Sequence, residues 1–143
     1  MARNFLSRCK VVKVSDHSAA STADVTSSIV DTAGYDGVVF MTSFGTANAT
    51  NTVKVQQNTA NQTTGMADLV GTSVASGSSD EDVIIEIHKP NERYIQVVAA
   101  RGASSTLESV WAVLYNGTPG LAANSVSGTQ IAELHSSPIE GTA

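Results

Sequence analysis

Asp82-Val83-Ile84-Ile85-Glu86-Ile87-His88, then Lys89-Pro90-Asn91-Glu92, then Arg93-Tyr94-Ile95-Gln96-Val97-Val98-Ala99-Ala100-Arg101 is the stretch whose reading decides the fold. In the first run Val83, Ile85 and Ile87 share one phase, and Ile84, Glu86 and His88 share the other. In the last run Ile95, Val97 and Ala99 alternate with Tyr94, Gln96 and Val98. Successive side chains of an extended chain point to opposite faces, so this alternation in β-branched residues marks two half-buried strands. Between them Pro90 presets φ at one turn position and Asn91 suits the next. The expectation is a β-hairpin with one face in a core. It holds no catalytic constellation.

Outward from this pair the same pattern repeats. Toward the N-terminus, strands are expected at Lys10 to Ser15, Val25 to Asp31, Gly37 to Phe44 and Thr52 to Gln57, with a short one around Leu69 and Val70. Gly37 to Phe44 is apolar enough to be central, whereas Thr52 to Gln57 sets Val53 and Val55 against Lys54 and Gln56. Asp16 to Asp24 reads as loop or extended edge, and 77–82 as a flexible acidic lead-in. Toward the C-terminus, Leu107 to Tyr115 is the last strong strand and carries Trp111. About eight short strands, separated by Gly, Asn, Asp and Ser, point to an all-β, jelly-roll-like β-sandwich of antiparallel strands. The domain reading is a leader over 1–9, a sandwich over 10–116 and an extended C-terminal arm over 117–143, with one helical turn at Gln130 to His135.

The 143 residues suit a single domain, one that buries roughly 68–70% of its unfolded surface. Only 15% of them are charged, against roughly 25% in an average soluble domain. Uncharged surface tends to associate, so the composition points to a surface that meets partners. Net charge is -5, and the eight Lys and Arg residues make no basic patch, which argues against a nucleic-acid partner. Only the start leans basic, through Arg3, Arg8, Lys10 and Lys13, and reads as a solvated or docked leader. No signal peptide and no membrane span is expected from the apolar runs, so synthesis in a cytoplasm is the expectation.

No residue pattern in the chain supplies reaction chemistry. His17, His88 and His135 show no metal-ligand spacing, and a cupin-type site needs a histidine pair. Asp80-Glu81-Asp82 lacks the spacing of a calcium loop and reads as solvated acid. Gly34-Tyr35-Asp36-Gly37 has no neighbouring Lys and no helix after it, so it reads as a turn rather than a phosphate loop. No Gly-x-Ser-x-Gly elbow is present. The single Cys9 forms no intramolecular disulfide and reads as inert. No enzyme activity, metal or cofactor is expected. Trp111 and Tyr115, with Tyr94 across the sheet, are the candidate sugar-stacking platform, although core packing and inter-subunit contact are commoner uses of such side chains.

Two segments together carry a resemblance: Asp31-Thr32-Ala33-Gly34-Tyr35-Asp36-Gly37-Val38-Val39-Phe40, and 82–101 with its Lys89-Pro90-x-x-Arg93-Tyr94 turn. They are similar to small structural proteins of tailed bacteriophages that act as head decoration, or cement, proteins. The similarity runs over about Val25 to Tyr115 and rests on fold-type residues. It implies a jelly-roll-like sandwich, often trimeric, bound to the major capsid protein on the outer surface of a virion. The alternative from another class is a carbohydrate- or receptor-binding module of a phage tail or fibre. The partner-binding candidates are Trp111 and, on an arm laid across another chain, Ile131, Leu134 and Ile139.

The arm's apolar residues are too sparse for a core of their own, and Pro119, Gly120, Gly128, Pro138 and Gly141 exclude a long helix. A chain ended after Gly120 is therefore expected to keep a cooperative melt while assembling or attaching more weakly. Loss of the folding transition in that truncation is the contrary result.

Overall fold

The computed structural model describes residues 4–117. The C-terminal arm with Ile131, Leu134, His135 and Ile139 lies outside the described residues. One helical turn, α1 (Phe5–Arg8), precedes β1 (Lys10–Ser15), β2 (Ser18–Ser21), β3 (Val25–Thr26), β4 (Val30–Asp31), β5 (Gly37–Phe44) and β6 (Thr52–Asn58). Then come β7 (Ala67–Asp68), β8 (Val74–Ala75), β9 (Glu81–His88), β10 (Tyr94–Ala100), β11 (Ser105–Leu107) and β12 (Val110–Tyr115). Every strand pair is antiparallel. One sheet runs β1-β12-β5-β9, and the other runs β3-β10-β6-β7 with β4 beside β10 and β8 beside β6. A separate ribbon joins β11 to β2.

The chain is an all-β sandwich whose strand order is that of a jelly roll. Along the main path almost every connection passes from one sheet to the other: β1 to β3, β4 to β5, β5 to β6, β8 to β9, β9 to β10 and β10 to β12. The expected hairpin is therefore corrected, because β9 pairs with β5 and β10 with β6, β3 and β4. The apolar phases of the two strands, Val83 and Ile85 on β9 and Ile95 and Val97 on β10, face each other across the core. Placing the strands in different sheets lets those phases bury each other, and Lys89, at φ 48, takes the left-handed conformation at the corner.

Between the sheets Val38, Phe40, Phe44 and Leu114 share one core with Val53, Val55, Ile95 and Val97, each at most 2% exposed. The expected phases of β9 and β10 hold: Val83 and Ile85 are buried and Ile84 is 66% exposed. On β10, however, Gln96 and Val98 are buried too, so the expected wet face is covered. Gln96 Nε2 donates to Gln56 Oε1 at 2.7 Å, Gln56 Nε2 donates to Asp68 Oδ1 at 2.7 Å, and Lys54 Nζ meets Asp68 Oδ2 at 2.8 Å. That ladder closes the outer face of the six-stranded sheet with polar groups.

Three expected strands divide. Val25 to Asp31 becomes β3 and β4, and Leu107 to Tyr115 becomes the end of β11 followed by β12. Leu69 and Val70 lie in a turn between β7 and β8, where Thr72 N–H and Oγ1 both donate to the Leu69 carbonyl. Gly71 takes φ 78 there, a conformation that side chains resist.

Polar groups fasten the corners. Arg101, 9% exposed, donates Nε to the Ala23 carbonyl and Nη1 to those of Ala19 and Ser105. It thereby ties the loop before β3 to β2 and β11. Asn51 is fully buried beside it, donating to Ser105 Oγ and accepting from Gly102 N–H. At another corner Arg93 forms a two-pronged pair with Asp31 at 2.7 and 2.8 Å, and its guanidinium holds the Asp31 carboxyl below the usual carboxylate range.

Val97→Ala is expected to cost about 2–4 kcal/mol by urea denaturation, the range for emptying a packed apolar site. Ile84→Thr should stay within about 0.5 kcal/mol, as exposed substitutions do. Equal losses at the two positions are the contrary result.

Candidate functional site

The outer face of the four-stranded sheet is built differently from the outer face of its partner. In β12, Val110, Ala112 and Leu114 point inward, which turns Trp111, Val113 and Tyr115 outward. In β5 the inward set is Val38, Phe40, Thr42 and Phe44, leaving Val39 and Met41 outside. Pairing then lines up the outward residues across strands. Lys13, Trp111, Met41 and Ile84 form one row. Val11, Val113, Val39 and Glu86 form the next.

Trp111, the expected partner-binding residue, is half-buried in the middle of that first row. Met41 is 37% exposed and Ile84 66% exposed beside it. With Ser43, Asp82 and Ser109 these three line a groove of about 360 Å³. Large apolar side chains aligned and open to solvent make this row the candidate site. Met41 and Ile84 were not picked out from the sequence. The available signal was an apolar residue on the outward phase of a strand, Ile84 lying between Asp82 and Glu86.

A third row explains why the face ends where it does. Tyr115, Gly37 and His88 lie opposite one another across β12, β5 and β9. The Tyr115 ring lies over Gly37, and a Cβ there would collide with the Tyr115 hydroxyl and stand 2.6 Å from the Ile87 carbonyl oxygen. Glycine is thus required for the ring to cross its neighbouring strand. The hydroxyl donates to Glu86 Oε1, and His88 Nδ1 lies 3.0 Å from the Tyr115 hydroxyl oxygen. Since Tyr115 gives its only proton to Glu86, the hydrogen bond from His88 requires a proton on Nδ1. Desolvation first, and then the hydrogen bond to Glu86, push the Tyr115 phenol up to about 12.

The three aromatics do not form one sugar-stacking platform. Tyr94 is in the other sheet, where Arg93 stands 5.2 Å from its ring centroid. The Tyr115 hydroxyl is committed to Glu86 and His88. Among the described histidines, His17 lies 3.3 Å from Glu108, far from the His88 corner. Among the described residues no group of three or more His, Cys, Asp and Glu side chains is placed to hold a metal ion. Glu81 and Asp82 are consecutive on β9, so their carboxylates leave opposite faces. Cys9 is buried at 8% exposure.

Compared with known proteins, the chain matches no protein-family model and no curated sequence.

The Tyr115 corner predicts a specific alkaline behaviour. A phenol held protonated in the folded state contributes stability that is complete below the unfolded value near 10 and is lost as pH rises toward about 12. The wild-type melting temperature should therefore fall more steeply across that window than the Tyr115→Phe variant's. Parallel pH profiles for the two would contradict the arrangement.

Proposed function

We propose that this protein is a structural component of a virus particle, a decoration or cement protein that binds the major capsid protein lattice of a tailed phage and acts without catalysis. The observation that carries this reading is the open apolar row Trp111, Met41 and Ile84 on one sheet, opposite a second sheet whose outer face is closed by polar pairs. A surface of that kind suits contact with another protein. The resemblance of 31–40 and 82–101 to head decoration proteins supplies the identity of the partner.

The mechanism is mass action. A protein that binds the assembled lattice better than loose subunits shifts the equilibrium toward the intact shell. Each contact contributes only modestly, roughly 2.7 kcal/mol when free protein stands about a hundredfold above its Kd. Repetition over a lattice, and self-association into a homotrimer, multiply that modest gain. A net charge of -5 suits the outside of a shell and repels DNA packaged within it.

Mixed with undecorated heads of the phage that encodes it, the protein should co-sediment to a saturating copy number and delay heat-induced release of DNA. Trp111→Ala should weaken this binding at least tenfold, as loss of a central aromatic anchor does. Failure to bind heads, together with absence from purified virions, would overturn the reading.

A further inference from the structure

The open row has a complement elsewhere in the same chain. Phe5, on α1, is 58% exposed, and it belongs to the one basic stretch of the sequence, with Arg3, Arg8, Lys10 and Lys13. On β9 the exposed Ile84 is flanked on the same face by Asp82 and Glu86, both exposed. An apolar residue among cations thus matches an apolar residue among anions. We propose that the N-terminal leader of a second copy of this chain docks in the groove beside β9, with its Phe5 seated between Trp111, Met41 and Ile84 and its Arg8 facing Asp82 and Glu86.

Size permits it. The groove holds about 360 Å³, and a single benzene ring occupies a cavity of roughly 150 Å³. The chain's own leader is not the occupant. It enters the sheet at β1, and β1 and β9 are opposite edges with β12 and β5 between them. Three strand spacings separate those edges, roughly 14 Å. The helical turn that carries Phe5 is closed on itself by hydrogen bonds from Ser7 N–H to Asn4 and from Cys9 N–H to Phe5. Lys13, at the far end of the row, is paired with Asp16 at 2.7 Å and leaves the acidic end of the groove to an incoming cation.

Leader and groove are different patches, so the contact is heterologous: each copy gives one and receives one, and the assembly closes as a ring or continues as a chain. This inference rests on the reading of the open row as an assembly face. It names a second copy as the occupant of that row, so that Trp111 supports head binding through self-assembly.

The test is sedimentation velocity of the full-length chain, without particles, at micromolar concentration. The wild type should run as a multi-chain species that weakens as salt rises. Phe5→Asp and Ile84→Arg, both at exposed positions, should each run at the mass of one chain while keeping the wild-type melt. An equimolar mixture of the two should give a two-chain species and nothing larger, since one intact leader then meets one intact groove. The milder pair Phe5→Ser and Ile84→Thr should show the same order with smaller shifts. A single-chain wild type, variants that assemble as the wild type does, or a mixture that stays single-chain would each overturn the proposal. A single-chain wild type that still binds heads would remove this contact and leave the capsid reading standing. Intact self-assembly without binding to heads would do the reverse.

Discussion

The apolar phase of β9, Val83 and Ile85, and the apolar phase of β10, Ile95 and Val97, reach the same core from opposite sheets. The rest of the structure depends on that opposition. The five residues from Lys89 to Arg93 carry the chain from one sheet to the other, so the two phases meet across the core instead of side by side in one ribbon. Burial of apolar surface is the dominant favourable contribution to folding, and here it decides which backbone pairs with which. Most strands of the main path then hydrogen-bond to partners distant in sequence: β5 to β9 and β12, and β10 to β6.

Such a topology concentrates demands at the corners, where the chain leaves one ladder before it joins the next and its backbone groups need other partners. Arg101 meets this need at one corner by donating to three carbonyls, with Asn51 and Ser105 buried beside it. Lys89 and Arg93 meet it at another, the first through its left-handed backbone and the second through its pair with Asp31. Removing a partner from a buried polar group costs more than the hydrogen bond contributes on balance. The buried Arg101, Asn51 and Ser105 are therefore as fold-defining as the valines between the sheets, whereas the exposed Arg93–Asp31 pair contributes little.

The two outer faces divide the work. On the six-stranded sheet, Gln96, Gln56, Asp68 and Lys54 are linked by hydrogen bonds across strands, although the buried Gln96 Oε1 itself has no partner. On the four-stranded sheet, Trp111, Met41 and Ile84 satisfy nothing polar and stay partly in water. Exposing them reduces solubility, which makes the second face the place to look for function. Gly37 beneath Tyr115 limits that face on one side, and the carboxylates of β9 give it a charged rim.

The sequence by itself determined the local facts. Alternation placed β1 and β5 at their observed bounds, put β5 inside its sheet, and assigned Val83, Ile85, Ile95 and Val97 to the interior. Those properties follow from side-chain chemistry at a period of two, and each residue carries that information itself. Partnership is not carried that way. The arch between β9 and β10, the turn at Leu69 to Thr72 inside an expected strand, and the covered face of Gln96 and Val98 depend on chain distant in sequence. The candidate site belongs to this second group. Trp111, Met41 and Ile84 lie on three strands whose order only the closed sandwich establishes, because a row across a sheet exists only once the register is set.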